Sequence, residues 1–137
     1  MHRLNLPEFD VRLDGEKIFC LIRKKWIVLT PEEWVRQHFI NLMINHLGYP
    51  KGLIRLEQSM KYFKNAKRSD IVLLDREAGN FMVVECKATT EPINQKVMNQ
   101  VAQYNKILES KYIAVSNGLK HFIWEGREQL KEFPKYE

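Results

Sequence analysis

The chain has 137 residues and a mass of 16.4 kDa, which is the size of one domain with a single core. Hydrophobic residues make up 45% and charged residues 28% of it, which excludes a disordered chain, and no stretch approaches the roughly 20 apolar residues of a membrane span. The formal net charge of +5 permits a polyanionic partner without requiring one.

Three further absences narrow the class of protein. Cys20 and Cys86 stand far apart in the sequence, without the spacing of a zinc site or the density of a disulfide framework. The residues after Met1 lack the apolar core of a signal peptide, so we expect a cytoplasmic protein. The sequence contains no glycine-rich phosphate-binding loop of the GxxxxGK[ST] type, which excludes an ATP-driven motor in this chain.

The first predicted element is an accessory β-hairpin extension over residues 1–29. The runs FDVRL, EKIFCLI and WIVL read as short strands, and the first two are joined by the turn pair Asp14-Gly15. A core over residues 30–124 follows, and a charged tail over 125–137, predicted to form a short helix, completes the single domain.

A helix is predicted to begin at the start of the core. Thr30 suits the N-cap, Pro31 suits the first helical position, and Glu33 completes a Thr-x-x-Glu capping box. Gly48 and Pro50 then end the helix.

Strands and one more helix fill the rest of the core. LIRLEQSM, SDIVLLD and NFMVVECKA are spaced for an antiparallel meander. INQKVMNQVAQYNKILES has apolar residues at 97, 101, 104 and 108 and predicts an amphipathic helix, and YIAVS and HFIWE predict two short strands around Asn117-Gly118. The fold class predicted is therefore α/β (α+β), with a mixed sheet flanked by helices.

The strand VVECKA carries an acid and a base. Because side chains alternate across a strand, Glu85 and Lys87 share one face, while Cys86 points to the other. Asp70 opens the preceding strand, and a hairpin between the two strands brings Asp70 and Glu85 to the same end.

Two carboxylates this close repel each other unless a divalent cation lies between them, and oxygen ligands favour Mg²⁺, or Mn²⁺ in its place, with a phosphodiester as substrate. An Asp or Glu considered singly is more often a surface or turn residue.

The first helix offers a further acid. The apolar stripe through Val35 and Phe39 is centred close to Glu32, whereas Glu33 is explained by helix capping. Glu32 is therefore predicted to be the acid that faces the core, although an acid in the first helical turn is commonly explained by the helix dipole.

Two more groups of residues complete the candidate site. Gln100 and Tyr104 are four residues apart on the second helix and face the same way. A basic cluster interleaved with Tyr62 and Phe63 is suited to gripping phosphates and stacking on bases, and it consists of Lys61, Lys64, Lys67 and Arg68. A solvated loop is an equally good interpretation of this cluster.

The ordered set Glu32, Ser69-Asp70, Glu85-Cys86-Lys87 and Gln100-x-x-x-Tyr104 resembles the PD-(D/E)xK nuclease superfamily with its restriction-endonuclease-like fold. More narrowly, TPEEWVRQ, RSDIVLLD, VVECKA and QVAQY resemble the N-terminal nuclease domain of type I restriction enzyme R subunits. The resemblance covers roughly residues 30–124. It departs from the family pattern at Ser69, where the family has proline, and in lacking the helicase motor of an R subunit.

The resemblance implies a role for each of these residues. Asp70, Glu85 and the Cys86 carbonyl would bind the metal, with Glu32 as an outer ligand. Lys87 would act as catalytic base or electrostatic helper, while the Gln100 and Tyr104 side chains would orient the substrate. The partners implied are DNA, a second copy of the chain in a homodimer, or a motor or specificity subunit.

Three hypotheses follow from the sequence. The leading one is a Mg²⁺-dependent DNA endonuclease of a restriction system. The alternative is a non-catalytic module that keeps the fold and binds nucleic acid or protein. A third is an interaction role for the hairpin at residues 9–29, because exposed strand edges invite pairing.

Overall fold

The computed structural model describes the backbone of residues 3–59 and 68–136. Side chains are described for the same residues except 57–59, 68–70, 104, 105, 107 and 108. None of the described helices is long and apolar enough to cross a membrane.

A small antiparallel sheet opens the chain and confirms the predicted hairpin extension. Its strands run in the order β1 (Leu13–Asp14), β2 (Lys17–Phe19) and β3 (Trp26–Val28). The Arg12 guanidinium lies 4.3 Å from the centroid of the Phe19 ring and 5.4 Å from that of Trp26. This cation–π contact holds the segment before β1 against the strands that follow it.

Helix α1 (Pro31–Asn41) begins where the sequence predicts. The Thr30 hydroxyl accepts a hydrogen bond from the Glu33 N–H at 3.1 Å, which satisfies one of the free N–H groups of the first turn. The helix continues as a π-helical turn (Leu42–His46), and Gly48 takes a positive φ of 78° just beyond it. A short 3₁₀ turn (Lys51–Leu53) leads into the main sheet.

The main sheet has six strands arranged in chain order. They are β4 (Ile54–Ser59), β5 (Arg68–Leu74), β6 (Asn80–Cys86), β7 (Tyr112–Ser116), β8 (His121–Glu125) and β9 (Glu128–Leu130). Every neighbouring pair is antiparallel except β6 and β7, which are parallel. A parallel pair needs a crossover, and helix α2 (Gln95–Leu108) provides it. The predicted mixed sheet with flanking helices is confirmed.

The prediction of a short helix in the tail over 125–137 is wrong. Residues Glu128–Leu130 instead form β9, which pairs with β8 through Trp124–Gln129 and two flanking residue pairs. Gly126, with φ at 59°, makes the tight turn between them. Strand pairing with β8 therefore overrides the charged, helix-favouring composition of the tail.

The two faces of the sheet carry separate cores. Phe39 and Met43 of the first helical segment pack with Val84 and Cys86 on one face. On the other face, Val101 of α2 packs with a set of strand residues: Val72, Val83, Ile113 and Val115. Since side chains alternate along β6, Glu85 lies on the face that α2 covers.

A partly buried hydrogen-bond chain fastens the N-terminal segment to the β7–β8 turn. The Ser116 hydroxyl and His121 Nδ1 are 2.7 Å apart, and His121 Nε2 is 2.8 Å from the Asn5 carbonyl oxygen. Because a carbonyl can only accept, Nε2 carries the proton, and the hydroxyl donates to Nδ1. The Gly118 N–H in turn donates to the Ser116 hydroxyl at 3.0 Å. In this arrangement His121 is neutral and carries its proton on Nε2.

Protonation of His121 is expected to weaken the fold in mild acid. Burial lowers the pKa of His121, against an opposing effect of its bond to Asn5, and burial also lowers the pKa of His38. A histidine whose pKa is lowered in the folded state contributes stability at high pH, and that contribution falls as pH drops below about 6.5. Urea unfolding at pH 7.5 and 5.5 measures the loss.

The control variants for this prediction separate His121 from the other histidines. H121Q keeps a donor and an acceptor without titrating, so it should reduce the pH dependence of the free energy of unfolding and leave the part that comes from His38. His46 is exposed, and H46Q should leave that dependence as in the parent. Equal pH dependence in H121Q and the parent would contradict the assignment.

Candidate active site

An acid–base pair lies at the end of β6. The Glu85 Oε1 and Lys87 Nζ atoms are 3.3 Å apart, and the two side chains are only 17% and 19% exposed. The Lys87 N–H donates to the Ser116 carbonyl at 2.8 Å, which extends the pairing of β6 with β7 and fixes the backbone below the pair. The prediction that Glu85 and Lys87 are neighbours on one face is confirmed.

The register of β5 against β6 brings position 70 to the same end. Ile71 pairs with Val84, and the two strands are antiparallel. Asp70 precedes Ile71 and Glu85 follows Val84, so the two positions are adjacent on neighbouring strands. The carboxylate of Asp70 lies outside the described side chains, and its part in a metal site stays a prediction.

Cys86 points away from the acid–base pair. Its side chain is 4% exposed and belongs to the core on the α1 face, as the alternation along the strand predicts. Both cysteines are free thiols. Whether the Cys86 carbonyl binds a metal is not tested by this burial and stays a prediction.

The predicted orientation of α1 is wrong for its two acids. Glu32 is exposed, whereas Glu33 is 4% exposed and faces inward. The Glu33 carboxylate accepts hydrogen bonds from Arg36 Nε and Gln37 Nε2, each at 2.9 Å, and from a terminal guanidinium nitrogen of Arg36. These partners compensate for the burial of the charge. The acid of the first turn that faces the core is therefore Glu33, whereas Glu32 was predicted to be that acid.

Gln37 links this buried pair to the N-terminal sheet. It is fully buried, and its Oε1 accepts a hydrogen bond from the Leu21 N–H at 3.1 Å. Neither Arg36 nor Gln37 was predicted to be a buried partner of Glu33. Their spacing of three and four residues from Glu33 was the available signal, since i,i+3 and i,i+4 residues meet on a helix.

The remaining predicted site residues are described in part or lie outside the described residues. Gln100 is half-buried on α2, and the side chain of Tyr104 is outside the described side chains. Of the basic cluster, Lys61, Lys64 and Lys67 lie outside the described residues, and for Arg68 only the backbone is described. The roles predicted for these residues stay predictions.

The donor set at the end of β6 fits a hard cation in its chemistry. Carboxylate and carbonyl oxygens are the ligands that Mg²⁺ and Mn²⁺ prefer, and positions 70, 85 and 86 supply these donor types. Among the described side chains, which do not include that of Asp70, no three His, Cys, Asp or Glu residues form a group that could hold a metal. Of the two carboxylates in the proposed set, the structure describes that of Glu85.

Comparison with a solved structure agrees with the fold. The chain matches a fragment assigned to the HsdR subunit of a type I restriction enzyme from Vibrio vulnificus YJ016, with a TM-score of 0.58 and 22% sequence identity. The match covers 78% of this chain and 24% of that chain, so the present chain spans about a quarter of the length of this relative. No match is found among curated proteins.

A family model matches the chain from the first residue of α1 onward. Residues 31–137 match the model described as Type I restriction enzyme R protein N terminus (HSDR_N). The match begins at the first residue of α1 and extends beyond β9, and it leaves the N-terminal three-stranded sheet outside it. The chain belongs to this family of type I restriction enzyme R protein N termini.

Proposed function

We propose that the chain is a Mg²⁺-dependent DNA endonuclease domain of a restriction system, which hydrolyses phosphodiester bonds. The observation that carries the proposal is the half-buried Glu85–Lys87 pair at 3.3 Å, on the strand next to the one that bears Asp70. Family membership supports a role in a restriction system. An acid and a base held together near a second carboxylate suit the hydrolysis of a phosphate ester.

Asp70, Glu85 and the Cys86 carbonyl would hold the ion. When bound, Mg²⁺ supplies positive charge that stabilises the charge developing on the phosphate oxygens. Lys87 carries three N–H donors, so its ammonium can keep Glu85 in place with one donor and offer another to a phosphate oxygen. Charge stabilisation by a group already in position requires little reorganisation during the reaction.

Other residues would position the substrate. Gln100 and Tyr104 are proposed to orient the strand beside Lys87, and the basic cluster of residues 61, 64, 67 and 68 is proposed to bind phosphates. The same proposal includes a DNA substrate, a motor or specificity subunit, a homodimer and a cytoplasmic setting. A dimer would supply two sites for cutting both strands.

A plasmid-nicking assay tests the proposed activity. The purified protein is incubated with supercoiled plasmid in Mg²⁺, in Mn²⁺ and in EDTA, beside a Glu85→Ala variant. We expect nicking by the parent in both metals, none in EDTA, and loss of nicking in E85A. Equal nicking by E85A and the parent would mean contamination and would contradict the proposal.

The alternative function has a distinct outcome in the same experiment. A non-catalytic module would bind DNA in a salt-dependent way, would leave the plasmid intact, and would release or absorb no heat on titration with Mn²⁺. The Glu85–Lys87 pair would then be a structural ion pair.

A further inference from the structure

A cavity of about 580 Å³ lies on the sheet face that carries Glu85, beside the cover provided by α2. The helix contributes Gln95, Asn99 and Lys106 to its lining, and the strands contribute Ile113 and Trp124. Its volume falls in the range of small-ligand sites. Its walls combine an aromatic ring, apolar side chains such as Met98 and Ala102, side-chain amides and cations.

Trp124 lines the cavity and is only partly buried. The centroid of the Phe122 ring lies 6.3 Å from that of the Trp124 ring, and the two rings are inclined by only 20°. Beyond Trp124 the chain turns at Gly126, where an added Cβ would meet no atom within 4 Å. Gly126 lines the same cavity as Trp124 and adds no side chain to its wall, and an aromatic side chain such as Trp124 offers a flat surface to a base.

The charged side chains among the described residues that line this cavity are both cations. Lys106 comes from the last turn of α2 and Arg127 from the turn between β8 and β9, and both are exposed. Glu125 and Glu128 lie two residues before and one residue after Arg127, but they do not line the cavity. The cavity is thus complementary to a ligand that joins an aromatic ring to an anion.

We propose that this cavity binds one nucleotide of a single-stranded DNA segment, with the base against Trp124 and a phosphate held by Lys106 and Arg127. The amides of Gln95 and Asn99 provide donors and acceptors for the edge of the base. Base stacking on an aromatic ring together with cations along the backbone is the general means of binding single strands.

The proposed nucleotide site is separate from the Glu85–Lys87 pair. Glu85 pairs with Val115 of β7, and Val115 pairs with Phe122 of β8, so the two sites are two strands apart, or about 10 Å across the sheet. The choice of DNA as the polymer rests on the proposed function. The nucleotide site would anchor a strand at a fixed distance from the place where it is cut.

Tryptophan fluorescence without metal measures binding independently of cleavage. The chain has three tryptophans, and a decathymidylate oligonucleotide is titrated in EDTA into the parent and into Trp124→Phe. We expect saturable quenching in the parent and its loss in W124F. Equal quenching in W124F, or no quenching in the parent, would overturn the proposal.

A pair of double variants tests the binding of phosphate by the two cations. K106Q/R127Q should weaken binding about tenfold and lower the slope of log K against log salt concentration by about 0.7, because the one phosphate that the two cations neutralise adds about 0.7 to that slope. K25Q/K51Q replaces two exposed lysines outside the cavity and lowers the net charge by the same two units. This variant should change the affinity for the oligonucleotide less than about twofold. Equal effects of the two variants would overturn the proposal.

Nicking by the parent, measured separately in Mg²⁺, distinguishes this proposal from the function on which it rests. Trp124-dependent quenching without nicking would support the nucleotide site while the endonuclease proposal fails. Nicking without Trp124-dependent quenching would overturn the nucleotide site and leave the endonuclease proposal standing.

Discussion

Replacing Lys87 by alanine is expected to lower the rate of DNA cleavage at least about 100-fold while leaving metal binding intact. The loss is of the size seen when one group that stabilises charge in a transition state is removed. Metal binding should survive because the proposed ligands are oxygens of positions 70, 85 and 86. Plasmid nicking gives the rate, and calorimetric titration with Mn²⁺ gives the metal affinity.

Lys120 provides the matched control for this variant. It is exposed in the turn between β7 and β8, and K120A makes the same change in net charge as K87A. We expect the rate at which K120A cuts DNA to lie within about twofold of the parent's rate, because an exposed charge outside the site interacts only weakly with its surroundings. If K87A and K120A cut at the same rate, Lys87 has no role in catalysis.

Removal of the Glu33 carboxylate is expected to be the most destabilising of the changes considered. Glu33→Ala leaves the guanidinium of Arg36, which is 6% exposed, without the carboxylate that binds it. Removing one partner of a buried ion pair costs about 3–5 kcal/mol in the free energy of unfolding. Gln37 also loses an acceptor, so the link from α1 to Leu21 should loosen.

The adjacent Glu32 provides the control for Glu33. E32A and E33A remove the same charge from the same helical turn, but Glu32 is exposed. Urea denaturation should show a change within about 0.5 kcal/mol for E32A and the larger loss for E33A. Comparable losses in the two variants would mean that the buried position of Glu33 contributes nothing to the free energy of unfolding.

Local chemistry predicted the elements that position the site. The Thr30-Pro31 pair fixed the start of α1, because the hydroxyl caps the first turn and the proline needs no hydrogen bond there. The two-residue period of a strand placed Glu85 beside Lys87. The short turn after β5 brought position 70 toward the same end of the sheet.

The errors arose where hydrogen-bond partners, which an apolar pattern does not register, decide the structure. The apolar stripe of α1 favoured Glu32, because an apolar pattern ignores the hydrogen bonds that Arg36 and Gln37 provide to a buried Glu33. The tail composition favoured a helix, whereas β8 offered a free edge to which Glu128–Leu130 add as a strand. Neither outcome is encoded in the periodicity of the segment itself.

Soaking Mn²⁺ into a crystal of the protein and recording its anomalous scattering tests the central claim most directly. The account predicts one strong peak within about 2.0–2.3 Å of carboxylate oxygens from both Asp70 and Glu85, with the Cys86 carbonyl among the ligands. A peak elsewhere, or none near Glu85 at millimolar Mn²⁺ with substrate DNA bound, would contradict it.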